Sequence, residues 1–161
     1  NHGRGVLNAE PPLLLKYPGF HHQDIFLIGY LKPIHPHEIA KSRKFYPIIP
    51  IELETREKTF LTRAYVDSGA GFSIFNAEIA DYMGLDYRSG ELIFPAGVGG
   101  HIRAYINEIL ISVGNIKVPC DVLFSDEFTV KFNLLGRAGV FDRFRVCFDD
   151  PERKIYFYEK L

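Results

Sequence analysis

An all-β fold carrying short helices is the class this sequence predicts, and three observations lead there. Apolar and polar residues alternate over short runs, as in Ile49, Ile51 and Leu53 against Pro50, Glu52 and Glu54, the period of two that marks a half-buried strand. Such runs are punctuated by turn formers, among them Gly114-Asn115 and the Pro95 to Gly100 segment, rather than by long stretches of helical period. Hydrophobic residues make up 47% of the 161-residue chain, with 14 Phe and 9 Tyr, so there is enough apolar surface for a core and wholesale disorder is excluded.

At this length one compact domain is expected. Composition shifts near residue 45: residues 1–44 are rich in Pro, Gly and His, without a sustained period, and read as an arm or linker with one short strand at Asp24 to Leu31. Residues 45–161 read as the folded domain. Ile49 to Leu53 and Phe60 to Val66 form a hairpin turning at Thr55 to Lys58. Asn76 caps a short helix whose Ile79, Tyr82 and Met83 share a face and which ends at Gly84. Glu91 to Phe94 and Ile102 to Ile106 flank a loop with three glycines, Gly97, Gly99 and Gly100, and read as a mobile hairpin. Ile109 to Val113 and Ile116 to Val118 join at Gly114-Asn115, a II′-type turn, and Cys120 to Phe124 continues as strand. A second helix is expected at Arg137 to Phe144, followed by a hairpin of Val146 to Phe148 and Lys154 to Tyr158.

Two stretches share one order of elements. Pro47 to Leu85 runs hairpin, apolar strand, Gly-containing loop and helix, and Tyr105 to Phe144 repeats that order. An internal duplication is therefore expected, on pattern rather than identity.

Several function classes are disfavoured by composition. The net charge of −1 gives no uniform basic field for nucleic acid or anionic lipid. The longest apolar stretch, Ile25 to Leu31, is too short for a membrane span. No signal-peptide pattern opens the sequence and the expected compartment leans to the cytoplasm, while removal of a leader or excision from a longer precursor stays open. Cys120 and Cys147 lack metal-type spacing and read as small buried apolar residues. Five of the six histidines lie in the arm without neighbouring Cys or clustered acid, so they read as solvated, with no metal and no cofactor implied. His101 follows the glycine loop, where it is equally a surface residue or a substrate contact.

The residues that carry chemistry are Asp67-Ser68-Gly69-Ala70, which follow Tyr65-Val66 and precede Phe72-Ser73-Ile74-Phe75. An acid is thereby presented on a tight turn between two apolar strands. Alone, such a triplet reads as an Asx turn. Taken with the glycine hairpin at Gly97, Val98, Gly99 and Gly100 and with Asn133-Leu134-Leu135-Gly136-Arg137, the stretch from Phe45 to Leu161 resembles the retropepsin-like aspartic proteases, and it is closer to their cellular and bacterial members than to the retroviral ones.

That resemblance implies an acid-protease β-barrel with an internal pseudo-twofold, half of a dimeric enzyme. It implies Asp67 as the catalytic acid, Ser68 as a hydroxyl locking loops together and Gly69 as the close-approach residue of the turn. Ala70, Gly71 and the flap residues Gly97, Val98, Gly99 and Gly100 would contact substrate, and Leu134, Leu135 and Gly136 would support the site. Because the chain holds one Asp-Ser-Gly, a homodimer must supply the second acid. Gly71 and Phe72 stand where retroviral members commonly carry two acids, so that set of substrate contacts departs from the pattern. A catalytically silent dimerisation or peptide-binding module of the same fold remains the alternative to an aspartic endopeptidase. The arm is open to three roles, as a propeptide, a dimer-wrapping segment or a linker, with docking on the partner or on its own core favoured by Leu13-Leu14-Leu15 and Phe26-Leu27-Ile28.

Overall fold

The computed structural model describes the backbone of residues 25–29 and the whole of residues 46–97 and 100–160. Alternation translates directly into strands. β2 (Ile48–Glu54) and β3 (Thr59–Val66) form the first hairpin, with Ile49 opposite Ala64 and Leu53 opposite Phe60. β8 (Ala104–Val113) and β9 (Ile116–Ser125) form the longest one. Its turn has Gly114 at φ 61 with Asn115 at negative φ, the II′ arrangement that suits the twist of the flanking strands. The short strands β4 (Ser73–Asn76), β5 (Glu91–Ile93) and β10 (Asn133–Leu135) complete a seven-stranded sheet ordered β2-β3-β10-β4-β9-β8-β5. β2 also pairs with β8, Leu53 opposite Ile111, so six of these strands close into a barrel.

Two strands are threaded in an interlocked order. β10 lies between β3, to which it is parallel, and β4, to which it is antiparallel. β4 in turn lies between β10 and the parallel β9. The chain segment from β3 to β4, which contains Asp67, therefore straddles β10.

α1 (Ala77–Tyr82) starts where the Asn76 side chain accepts from Glu78 N at 2.8 Å and ends before Gly84 at φ 69. Of the three residues expected to share a face, Met83 is buried and Ile79 half-buried, while Tyr82 is exposed, its ring tilted against Phe60 and lying under the Lys58 ammonium. A 3₁₀ turn, Tyr87–Ser89, follows. The second helix, α2 (Val140–Arg143), is shorter than the expected Arg137 to Phe144. Gly139 at φ 78 leaves the right-handed helical region, so regular helix begins only after it.

β11 (Phe144–Asp149) and β12 (Lys154–Glu159) form the last hairpin, and β1 (Ile25–Gly29) from the arm pairs antiparallel with β12 to make a separate three-stranded sheet. Phe144, Ile155 and Phe157 of that sheet belong to the same buried cluster as Ile49, Val66, Phe75 and Leu135 of the barrel. The expected arm thus contributes one strand, while the rest of residues 1–44, including Leu13-Leu14-Leu15, lies outside the described residues. Of the two cysteines, Cys120 is buried as expected, its thiol pushed up to about 12 chiefly by that burial. Cys147 is exposed, contrary to expectation, because it sits at an outward position of β11 opposite Tyr156.

Candidate functional site

Asp67 is the first residue past the end of β3. Its backbone N–H donates to Leu135 O at 3.0 Å, which prolongs the β3–β10 ladder onto the acid itself. A tight turn then closes: Ala70 N–H donates to Asp67 O at 3.2 Å, and Gly69 N–H donates to Asp67 Oδ1 at 2.8 Å. The second bond is the Asx turn that the triplet favours, and it fixes the carboxylate by a charge-assisted contact. Beyond it, Arg137 N–H donates to Ala70 O and Ala138 N–H to Gly71 O, both at 2.9 Å. The turn is therefore stitched on both sides to the segment following β10.

Gly136 sits where the two segments cross. A Cβ there would lie 2.2 Å from Phe72 O, so only glycine allows the approach. Its N–H donates to the hydroxyl of fully buried Ser73 at 3.0 Å. Ser73, the first residue of β4, is thus a lock between the two crossing segments that sequence reasoning missed; its only sign is a hydroxyl within the apolar run Phe72-Ser73-Ile74-Phe75. Ser68, expected in a locking role, is exposed, and its carbonyl accepts from the Arg137 guanidinium at 3.4 Å.

Asp67 itself is half-buried. Tyr65, two residues before it, stacks on Phe132 at 5.4 Å between ring centroids and tilts against Tyr46. Burial, and after it the Asp67 charge, hold the Tyr65 phenol above its ordinary range.

A groove of about 540 Å³ opens beside this turn. Gly69, Ala70 and Gly71 line one side, and Gly97 and Gly100 line another from a two-stranded hairpin. In that hairpin β6 (Ala96–Gly97) pairs with β7 (Gly100–His101), and Gly100 has φ 117. The floor is a second apolar cluster in which Ile74, Leu123 and Phe128 are buried and Leu134 is half-buried. The expected substrate contacts Ala70, Gly71, Gly97 and Gly100 are therefore brought around one groove, together with Leu134. Leu135 and Gly136 lie beneath the turn, buried. Val98 and Gly99 fall outside the described residues. His101 is exposed, with Nδ1 3.3 Å from Phe94 O.

A slightly larger depression, about 610 Å³, lies around Pro50, Leu61, Arg63 and Lys117 and shares no lining residue with the Asp67 turn. Among the described residues no three His, Cys, Asp or Glu side chains cluster so as to hold a metal ion. No described helix is long and apolar enough to cross a membrane. No protein-family model matches the chain, and no curated protein matches it in sequence.

Proposed function

We propose that this chain is an aspartic endopeptidase, which cleaves extended peptide segments by water activated between the two Asp67 carboxylates of a homodimer. The observation that carries this reading is an acid fixed on a turn that a crossing strand pins in place, the next residues of that turn, Gly69 to Gly71, lining an apolar groove faced by a glycine hairpin. Retropepsin-like identity draws support from the interlocked strands. The hairpin β2–β3 leads through the Asp67 turn into β4, and the hairpin β8–β9 leads through residues 126–132 into β10. In the order β2-β3-β10-β4-β9-β8 each element of the first set has its counterpart from the second at the mirror position, which is what an internal pseudo-twofold requires.

The mechanism follows from stoichiometry. Hydrolysis without metal or covalent intermediate needs one carboxylate as general base and a protonated one as acid. One Asp67 turn per chain makes a symmetric pair the simplest source of both. Carboxylates about 3 Å apart share a single proton because two like charges at that distance cannot both be accommodated. The ionised Asp67 takes a proton from the water as its oxygen attacks the scissile carbonyl, while the protonated partner hydrogen-bonds the carbonyl oxygen. The roles reverse as the amine leaves. The flap hairpin offers backbone groups to a substrate in extended form, which adds a strand to the site and excludes water.

A silent peptide-binding module is the second reading, favoured by the absence of any acid at Gly71 and Phe72. One experiment separates them. The parent is expected to cleave unfolded casein somewhere between pH 3 and 7, to be blocked by a statine-type inhibitor and to sediment as a dimer. Asp67→Asn, folded and dimeric, should lose roughly 10²–10⁴-fold in rate. Equal cleavage by the two proteins would eliminate the endopeptidase reading, and absence of cleavage by a dimeric parent would favour the silent module.

A further inference from the structure

The flap hairpin and the groove wall share one anchor. The β8–β9 ladder ends at Tyr105 opposite Phe124 and β9 itself ends at Ser125, so no ladder pairing reaches Arg103, which precedes β8. Side chains take over. Arg103 N–H donates to Glu127 Oε2 at 2.8 Å, and the hydroxyl of fully buried Ser125 donates to Arg103 O at 2.6 Å. The same hydroxyl accepts from Glu127 N at 3.1 Å, so the three residues form a closed loop of hydrogen bonds.

Arg103 stands two residues beyond β7, and Ile102 N–H, between them, donates to Pro95 O at 3.4 Å to close the base of the flap. Glu127 and Phe128, on the other side, line the groove, and Phe128 O is tied to Asn76 Nδ2 at 3.0 Å. The clamp therefore joins the returning flap strand to the segment a bound peptide would press against.

We infer that Glu127 and Ser125 are positioning residues of the peptide-cleaving reaction: by holding both backbone groups of Arg103 they make flap seating and groove-wall position a single coupled motion. This rests on the reading of the groove as the protease cleft. The bond from Arg103 N–H to a carboxylate is charge-assisted and belongs to the stronger class. The guanidinium of Arg103, 3.5 Å from both Asp126 and Glu127, and that of Arg88, 3.1 Å from Asp126, form half-exposed ion pairs that solvent screens. The coupling thus resides in the backbone contacts of Glu127 and Ser125 and not in Asp126.

The test uses the full chain and the exposed position, since Ser125 is in the core. In Glu127→Ala, amide hydrogen exchange at Arg103, at residues 96–102 of the flap and at 128–130 of the wall should accelerate together, on the order of tenfold. With a reporter peptide its KM should rise several-fold while kcat changes less. Glu127→Gln keeps an acceptor oxygen but not the charge and should restore most of both readouts, and Asp126→Asn should leave both near the parent. Acceleration confined to the Arg103 amide, or a Glu127→Ala variant with the KM of the parent, would overturn the coupling. If the parent cleaves nothing the protease reading fails, and the exchange pattern alone then decides whether flap and wall move as one.

Discussion

The Asp67 turn is held by main-chain hydrogen bonds to Leu135, Arg137 and Ala138, whereas the flap across the groove is tied at its root by the side chains of Ser125 and Glu127. The turn has no slack, because Gly136 passes so close to Phe72 that any Cβ would collide with backbone. Around Gly97 and Gly100 of the flap, by contrast, an added Cβ would meet nothing within 4 Å among the described residues. One wall is pinned around its acid by main-chain bonds, and the other leaves open space around its glycines. The proposed protease site, which would have to keep two carboxylates in register while admitting and releasing a polymer, would draw on both kinds of construction.

Substitution at the crossing point should break this contrast most severely. Gly136→Ala drives a methyl group into the Phe72 carbonyl at 2.2 Å, and neither strand can retreat without losing the bonds to the Asp67 turn. A loss of about 3 kcal/mol or more in unfolding free energy is expected, read by denaturant titration. Next comes Ser73→Ala, which leaves the buried Gly136 N–H without its acceptor at a cost of about 1–3 kcal/mol. A Ser73→Ala protein as stable as the parent would mean that the turn is held by the backbone ladder alone.

A third effect reaches the rigid wall from beneath. Cys120 packs under Gly139, where an added Cβ would come within 2.5 Å of its Sγ. Its thiol is raised from 9.0 to about 12, mainly by burial. The unfolded thiol releases its proton above pH 9 while the folded one keeps it, so the unfolded state binds fewer protons and stability falls as pH rises from 9 toward 12. At pH 10 the loss is about 1.4 kcal/mol. The raised phenols of Tyr65, Tyr87 and Tyr158 act in the same direction from pH 10 upward. Thermal melts between pH 8 and 11 should show the decline, and Cys120→Ala, less stable at pH 8, should show a shallower slope.

What the sequence revealed and what it hid divide along the same line. The hairpins were legible because alternation such as Ile49, Ile51, Leu53 is a local pattern, and so were the Asn76 cap and the Gly114-Asn115 turn. The Asp67 triplet and the glycine hairpin were legible as turns from their residues, and a shared role for them came only from the family resemblance. The locks did not. Ser73 meets Gly136 across 63 residues and Arg103 meets Ser125 across 22, and a lone hydroxyl carries no mark of a partner that only the fold brings near. The pairing of β1 with β12 was hidden for the same reason, and α2 was overextended because the sequence does not disclose the positive φ of Gly139.

The smallest effects belong to the flap and sharpen the contrast from its compliant side. Gly100 has φ 117, so Gly100→Ala is strained despite the open space and should cost about 1–2 kcal/mol locally. That energy falls on a two-residue strand, so it should appear as faster exchange across residues 96–102 more than as a lower melting temperature. Gly97 has neither obstacle, lacking a positive φ and, among the described residues, any atom within 4 Å of an added Cβ. Gly97→Ala should therefore change global stability by less than about 0.5 kcal/mol. Its new methyl group would nevertheless stand at the mouth of the groove, so the place to look is peptide affinity: a several-fold rise in KM without any change in melting would mark Gly97 as kept for substrate approach, whereas an unchanged KM would restrict close approach to the Asp67 side.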